Sequence, residues 1–323
     1  MNKRALISLL ALVLLSLISL ALALSLGSYA TSPAGIWQGL WDPAAPAHEL
    51  IWQLRLPRAL AAWLTGALLA LAGVLMQVLL RNPLADPYVL GTSGGAACLA
   101  LASMSLGLAI PTPVAAFSGA LIAILLVFVL ARGDGPWNST RLLLTGAVSA
   151  AAWGALISLL LSLAPEQQLR GMLFWLMGDL SWPQVNGWMW LSLLLLIAVT
   201  GYFSRALNVM AAGDITAALL GEQPQRLGWI LYLSASLATA IAVTIAGSVG
   251  FVGLVVPHLL RLVLGADHRL LIPAAVMFGG AFLVCADTLA RSVIAPQQLP
   301  VGVVTALIGA PLFLLLLRRS QRL

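Results

Sequence analysis

Charge is what this chain lacks most. Asp, Glu, Lys and Arg make up 8% of its 323 residues, whereas soluble domains carry roughly 25%. Hydrophobic residues make up 61%, and the mean hydropathy is +1.03. A water-soluble fold is excluded, because a core of this length cannot hide so much apolar surface from water. Lipid and neighbouring helices must solvate it instead, and a single membrane domain over residues 1–323 is expected. Lysine is nearly absent. A phosphate loop of the form G-x-x-x-x-G-K-[ST] needs a lysine to reach the phosphates, and Lys3 is the only one, so a Walker-type ATP site is excluded. Thr92-Ser93-Gly94-Gly95-Ala96 superficially resembles a nucleotide-signature loop, but it opens an apolar helix, where small residues serve close packing. The two cysteines, Cys98 and Cys285, lie far apart in apolar segments and give no basis for a disulfide framework or a zinc site. They read as small membrane-buried hydrophobes. His48, His258 and His268 are isolated, without metal-ligand spacing, so no metal is expected. Paired catalytic carboxylates and a Ser-His constellation are also missing, so no catalytic residue is assigned.

What remains is a series of apolar runs. Divided at charges, Pro and Gly, they give about ten helices, each near the ~20 residues needed to cross hydrocarbon. These fall near residues 5–28, 58–80, 88–108, 113–131, 142–164, 188–204, 228–248, 250–265, 271–292 and 302–317, the third and eighth being short. The first is too long for a signal h-region and reads as a retained span. Residues 165–187 carry Glu166, Arg170 and Asp179 among aromatic residues, which suits a short surface or re-entrant helix with Trp at the interface. An internal repeat of helices two to five and seven to ten is conceivable, since Ala72-Gly73 and Ala246-Gly247 both precede Pro-interrupted segments.

The formal charge of +6 is spread singly between the apolar runs, unlike the basic stripe of a nucleic-acid groove. With both termini in the cytoplasm and ten crossings, Arg55, Arg58, Arg170 and Arg291 fall outside and the other twelve of the sixteen basic residues inside. Acidic residues are sparse within the spans. Asp86, Asp214 and Asp267 lie near predicted cytoplasmic ends, and Asp287 alone lies within a span, four residues before Arg291 on the same face. An ion-coupled secondary transporter, which places ionisable groups near the midplane, is therefore the weaker alternative.

The segment Arg81-Asn82-Pro83-Leu84-Ala85-Asp86-Pro87-Tyr88-Val89-Leu90-Gly91 is the most informative. Two prolines four apart disfavour a continuous helix, yet apolar spans flank it. A kinked turn or re-entrant break is expected, with Asn82 and Asp86 satisfying freed backbone groups. Two roles compete for it: a capped interhelical turn, or a gate lining a pathway.

This segment, together with Arg55-Leu56-Pro57-Arg58, Gly66-Ala67, Gly73 and Gln77 before it, closely resembles the FecCD/BtuC family of permeases. So do Arg141-Leu142-Leu143-Leu144, Trp175-Leu176-Met177-Gly178, Gly250-Phe251-Val252-Gly253-Leu254, Pro257-His258-Leu259, Asp267-His268-Arg269 and Leu299-Pro300-Val301-Gly302. The resemblance implies an all-α membrane protein, a ten-helix type II ABC importer permease in the bacterial inner membrane. It further implies a homodimer with the path at its interface, and two cytoplasmic ATPase subunits that bind ATP and Mg. A periplasmic binding protein would deliver ferric siderophore, haem or cobalamin. No cofactor is implied for this chain itself.

Residue by residue, the resemblance gives Arg55, Arg58 and Arg291 as docking contacts for acidic residues of the binding protein. Headgroup contact or structural pairing competes, for Arg291 through Asp287. Asn82 and Leu84 with Ser139 and Thr140 correspond to the cytoplasmic gate, helix capping being the competing role for the two hydroxyls. In the stretch from Asn208 to Arg226, Asp214 can cap a short helix that Gly221 stops. Ile215, Ala218 and Leu219 then form an exposed apolar face suited to a partner groove. With Asp214 and Gly221 they correspond to the element that contacts the ATPase, a surface-lying connector being the competing reading.

Overall fold

A computed structural model describes residues 3–27, 31–107, 109–131 and 139–320, without the side chains of 139, 316, 317, 319 and 320. In chain order the helices are α1 (Lys3–Ser25), α2 (Pro33–Trp41), α3 (Leu56–Leu79), α4 (Thr92–Ser105), α5 (Thr112–Ala131), α6 (Ser139–Leu163) and α7 (Glu166–Leu176). There follow α8 (Gly187–Tyr202), α9 (Ser204–Ala211), α10 (Asp214–Leu219), α11 (Pro224–Ala246), α12 (Val252–Leu264), α13 (His268–Ala290) and α14 (Val301–Ser320). Each of the ten expected spans has its helix. Among the described residues six are long and apolar enough to cross a membrane, and α8 with α9 forms a seventh candidate bent by 61°. The third and eighth spans are short, as their sequences predict: α4 has 14 residues and α12 has 13.

Burial separates the spans by role. In α3 the apolar window is 89% buried, in α1 11%, so α3 is the axis of the fold and α1 lies at its lipid-facing edge. Hydrocarbon gives no hydrophobic drive for helices to associate, so they hold together by close packing and polar ties. Both are present along α3. A Cβ on Gly66 would stand 2.2 Å from the Gly279 carbonyl oxygen of α13, and one on Gly73 would stand 1.8 Å from that of Gly253 in α12. At the edge, Trp63 donates to the Ser16 hydroxyl at 2.9 Å and Ser16 to the Met277 carbonyl at 3.0 Å, pinning α1 on α3 and α13.

The entry to α3 is a wide helical turn over Leu50–Arg55 in which the Leu56 N–H reaches back five residues to the Ile51 carbonyl. Pro57 has no N–H and its ring crowds the preceding turn, so the ladder widens there. The exit is the expected break. The Asn82 carboxamide accepts from Leu84 N at 2.9 Å and Asp86 from Tyr88 N at 2.8 Å, the predicted backbone satisfaction. Arg81 has φ +48°, a left-handed backbone rare for a non-glycine residue.

From that turn the chain climbs back beside α3. Pro87 and the Leu69 carbonyl both abut Gly253, and Leu69 lies ten residues, about 15 Å of helix rise, from the end of α3. The segment is therefore re-entrant, and its single 3-10 turn, Pro87–Leu90, shortens α4. A second break separates α11 from α12, with Phe251 at φ +68°. The Tyr88 hydroxyl lies 3.1 Å from both the N and O of Val249, tying the two breaks together. Of the cysteines, Cys98 is buried in α4, whereas Cys285 is exposed on α13, turned away from the protein interior.

Close glycine contacts give a direct test. Gly73→Val should abolish recovery of monodisperse protein in detergent, because its Cβ meets backbone that no side-chain rotation can move, beyond the about 1–3 kcal/mol of ordinary overpacking. Gly154→Ala, with nothing within 4 Å of the added Cβ, should leave size-exclusion profile and Tm unchanged. Equal behaviour of the two variants would refute the packing assignment.

Candidate functional site

Two polar regions stand out, one at each end of α3. At its N-terminal end, Arg55, Arg58 and Arg291 come together, and none of them projects freely: they are 4%, 8% and 6% exposed. The organising group is Asp287 on α13, 1% exposed. Arg58 places Nε 3.0 Å from both Asp287 oxygens and Nη2 2.8 Å from Oδ1, while its Nη1 donates to Gln298 at 2.6 Å. Arg291, one turn along α13, has Nε 3.8 Å from Asp287 Oδ2, so the pairing expected from their spacing is present but is the looser one.

Arg55 and Arg291 also serve α1. Arg291 donates to the Ala23 carbonyl and Arg55 to that of Leu24, with Arg55 Nη1 3.0 Å from the Thr31 hydroxyl. The last turn of α1 carries no basic residue of its own. Two guanidinium groups from other helices therefore satisfy carbonyls left open at that negative end.

All three arginines line one open cavity of about 850 Å³, which also includes Arg170, Ser181 and Gln297. Arg170 is exposed, 5.7 Å over the Phe174 ring. Its membership of this site was missed from the sequence, although its place among the four outward basic residues was the available signal. Among the described residues no acidic side chain lines the cavity. Four guanidinium groups therefore face it with the single carboxylate of Asp287 beneath.

At the other end of α3 lie the break, α9 and α10. Asn82 is half-buried and Leu84 exposed; Ser139 begins α6, its side chain outside the described residues, and Thr140 is exposed in the same turn. α6 packs on the re-entrant segment, a Cβ on Gly146 meeting the Val89 carbonyl oxygen at 2.4 Å. On α10, Ile215 and Leu219 are 80% and 82% exposed and Ala218 is exposed beside them. Asp214 does not cap this helix. Gly213, at φ +116°, occupies the cap position, and Asp214 turns its carboxylate to Arg81 instead. Gly221, at φ +86°, follows the helix as expected.

These elements are tied in series. Asn208 of α9 donates to Asp267 at 2.8 Å and accepts from the His268 N–H at 2.8 Å, joining α9 to the start of α13. The side-chain hydrogen bonds from Arg269 and Asn208 hold the Asp267 carboxyl well below the usual carboxylate range, so this junction is charged at neutral pH. Gln77, in the last turn of α3, accepts from Arg261 and donates to the Leu254 carbonyl, both in α12. His258 is packed near the Phe313 ring, 6.1 Å between centroids. Among the described residues no group of three or more His, Cys, Asp or Glu side chains could hold a metal ion.

Comparison with known proteins agrees with this layout. The model of the FecCD transport family matches residues 12–319. The cobalamin import system permease of Halobacterium salinarum is 42% identical over 282 residues, 85% of this chain and 75% of that protein. The hemin transport system permease of Yersinia pestis is 38% identical, covering 94% of this chain and 95% of its own length. A solved structure described as a metal-chelate type ABC transporter in an inward-facing conformation superposes with TM-score 0.82 at 31% identity, covering 97% of this chain and 99% of the other. The resemblance carried by the Arg81–Gly91 segment and the motifs around it thus extends over nearly the whole sequence, and the chain belongs to the FecCD transport family.

Proposed function

We propose that this chain is the membrane-spanning permease of an ATP-driven importer, and that its cargo is a bulky metal chelate: a ferric siderophore, haem or cobalamin. The family match over residues 12–319 carries this reading. In it, two copies form the path at their interface, with both termini in the cytoplasm of a bacterial inner membrane, as the distribution of basic residues favours. Two separate ATPase subunits bind ATP and Mg on the cytoplasmic side. A periplasmic binding protein docks at the arginine cavity through Arg55, Arg58 and Arg291. The ion-coupled alternative finds no support in Asp287, which lies in the last turn of α13 and is held by Arg58.

In this scheme α10 is the ATPase contact. A six-residue helix with Ile215 and Leu219 one turn apart and both above 75% exposed offers an apolar knob for a partner groove. Asn82, Leu84, Ser139 and Thr140 form the gate. The Arg81–Asp214 ion pair links the two, because Arg81 directly precedes Asn82 and Asp214 begins α10. Both side chains are about a third exposed, so the pair contributes little to stability, about 0–1 kcal/mol. Its value is mechanical: movement of α10 reaches the gate turn through one contact.

Permease, ATPase and binding protein reconstituted in liposomes should drive ATP-dependent uptake of ferric siderophore, haem or cobalamin. Uptake that persists without the ATPase would sink the assignment. Ile215→Asp with Leu219→Asp should weaken ATPase association by tenfold or more, roughly 1.4 kcal/mol, measured by co-purification and titration; intact association would remove α10 from the interface. Arg81→Glu should lower uptake several-fold while leaving Tm and ATPase assembly unchanged. The swapped pair Arg81→Glu/Asp214→Arg should recover most of it. Failure of the swap to exceed either single variant would show that the ion pair carries no coupling.

A further inference from the structure

The arginines assigned to an acidic partner are already engaged by a carboxylate of their own chain. Asp287 takes two donor atoms of Arg58 and attracts Arg291, and by doing so it fastens the start of α3 to the end of α13. Yet Arg58 and Arg291 also line the open cavity. A carboxylate entering from outside can therefore reach the same two guanidinium groups that Asp287 holds from within.

Charge and geometry both favour a second anion there. Four guanidinium groups face the cavity against one carboxylate, and no acidic side chain among the described residues lines it. Arg291 Nε is buried, lacks a hydrogen-bond partner and stands 3.8 Å from Asp287, beyond hydrogen-bonding reach. Arg170 is exposed at the same cavity, 5.7 Å from the Phe174 ring centroid, and is the most accessible positive charge for an approaching acid. Breaking a buried pair without replacement is strongly destabilising, because it strands a charge. An incoming anion can draw Arg58 and Arg291 partly from Asp287 without stranding them; a neutral partner cannot.

We propose that Asp287 is an exchangeable stand-in for a partner carboxylate. On docking, an acidic side chain of the binding protein first meets Arg170 and then draws Arg58 and Arg291 outward until they are shared between it and Asp287, which leaves no buried charge stranded while loosening the tie between α3 and α13. Asp287 is thus a positioning residue: it holds the arginines in place until docking and makes release of the helices conditional on an acid. This rests on the docking reading above and adds to it the internal competitor, the fourth arginine and the helix pair that docking frees.

The test uses the permease–ATPase complex in nanodiscs and the binding protein that supports uptake in the reconstitution. Arg170→Glu and Arg58→Gln should each weaken docking; if neither does, the docking reading itself fails and the exchange falls with it. If they do, Asp287→Asn/Arg291→Gln is compared with Arg291→Gln alone. Exchange predicts about tenfold tighter docking in the double variant, expressed in the off-rate and persisting at about 0.5 M salt, where long-range attraction is screened. It also predicts raised basal ATP hydrolysis that docking no longer stimulates, and wild-type behaviour for Asp287→Glu. No gain, or a gain confined to the on-rate and lost in salt, overturns the exchange while leaving docking intact. Should the Asp287 variants fail to fold, spin labels at the exposed positions Trp52 and Val293, in a chain with Cys98 and Cys285 replaced by alanine, decide the matter. Their separation should change on docking, and an unchanged distance distribution overturns the proposal.

Discussion

Everything in this fold follows from a backbone that must satisfy its own N–H and C=O groups where no water can do so. Continuous helices meet that requirement without help, which is why the spans are legible as apolar runs. The informative places are those where the helix stops inside the protein. At the α3 break Asn82 and Asp86 each supply a bond that the interrupted ladder lacks, and the Tyr88 hydroxyl does so for Val249 at the second break. At the end of α1 the open carbonyls are met by Arg55 and Arg291 from other helices. Charged side chains in this molecule are few because lipid penalises them, and most of those retained sit near such ends.

The same scarcity explains what could be read from the sequence. Ten spans, the short third and eighth, the break and its two capping side chains are local features, set by residues within one or two turns of each other. The exposed face of Ile215, Ala218 and Leu219 is local too. The contacts that organise the site are not. Arg58 and Asp287 are 229 residues apart, and Arg81 and Asp214 are 133 apart. The positive-inside rule assigns a charge to a side of the membrane, not to a depth or a partner. It therefore put Arg55, Arg58, Arg170 and Arg291 in one group, and they do line one cavity, but it gave no sign that three of them are folded inward. Asp214 misled for a different reason. An acid before a short helix is a good cap on local grounds, and it was the distant Arg81 that drew its carboxylate away.

Strength is distributed unevenly along α3. Where α3 meets α12 and α13 the backbones touch at glycines, and such contacts are all-or-none, since no side chain can yield. At its C-terminal end the ties are single hydrogen bonds and one ion pair about a third exposed, worth little individually. A structure built this way resists change at its axis and permits it at its ends. Local opening draws on the weakly held elements, and here those are the break, α9 and α10, among them the helix proposed to meet the ATPase.

The two ends nevertheless share one rigid body. Arg58 and Arg81 are separated by 23 residues, about 35 Å if the rise is helical throughout, and between them α3 is buried on nearly every side. A helix packed that tightly cannot bend to absorb a displacement at one end. It must tilt or slide as a unit against α13 and α12, the helices to which Arg58 and Gln77 are tied. A change in the arginine cavity that alters the seat of α3 on α13 therefore reaches the Arg81–Gly91 turn through the backbone of α3 itself. A chain of side-chain contacts is not required, and that is the physical sense in which the delivery and gating proposed for the two ends can be coupled.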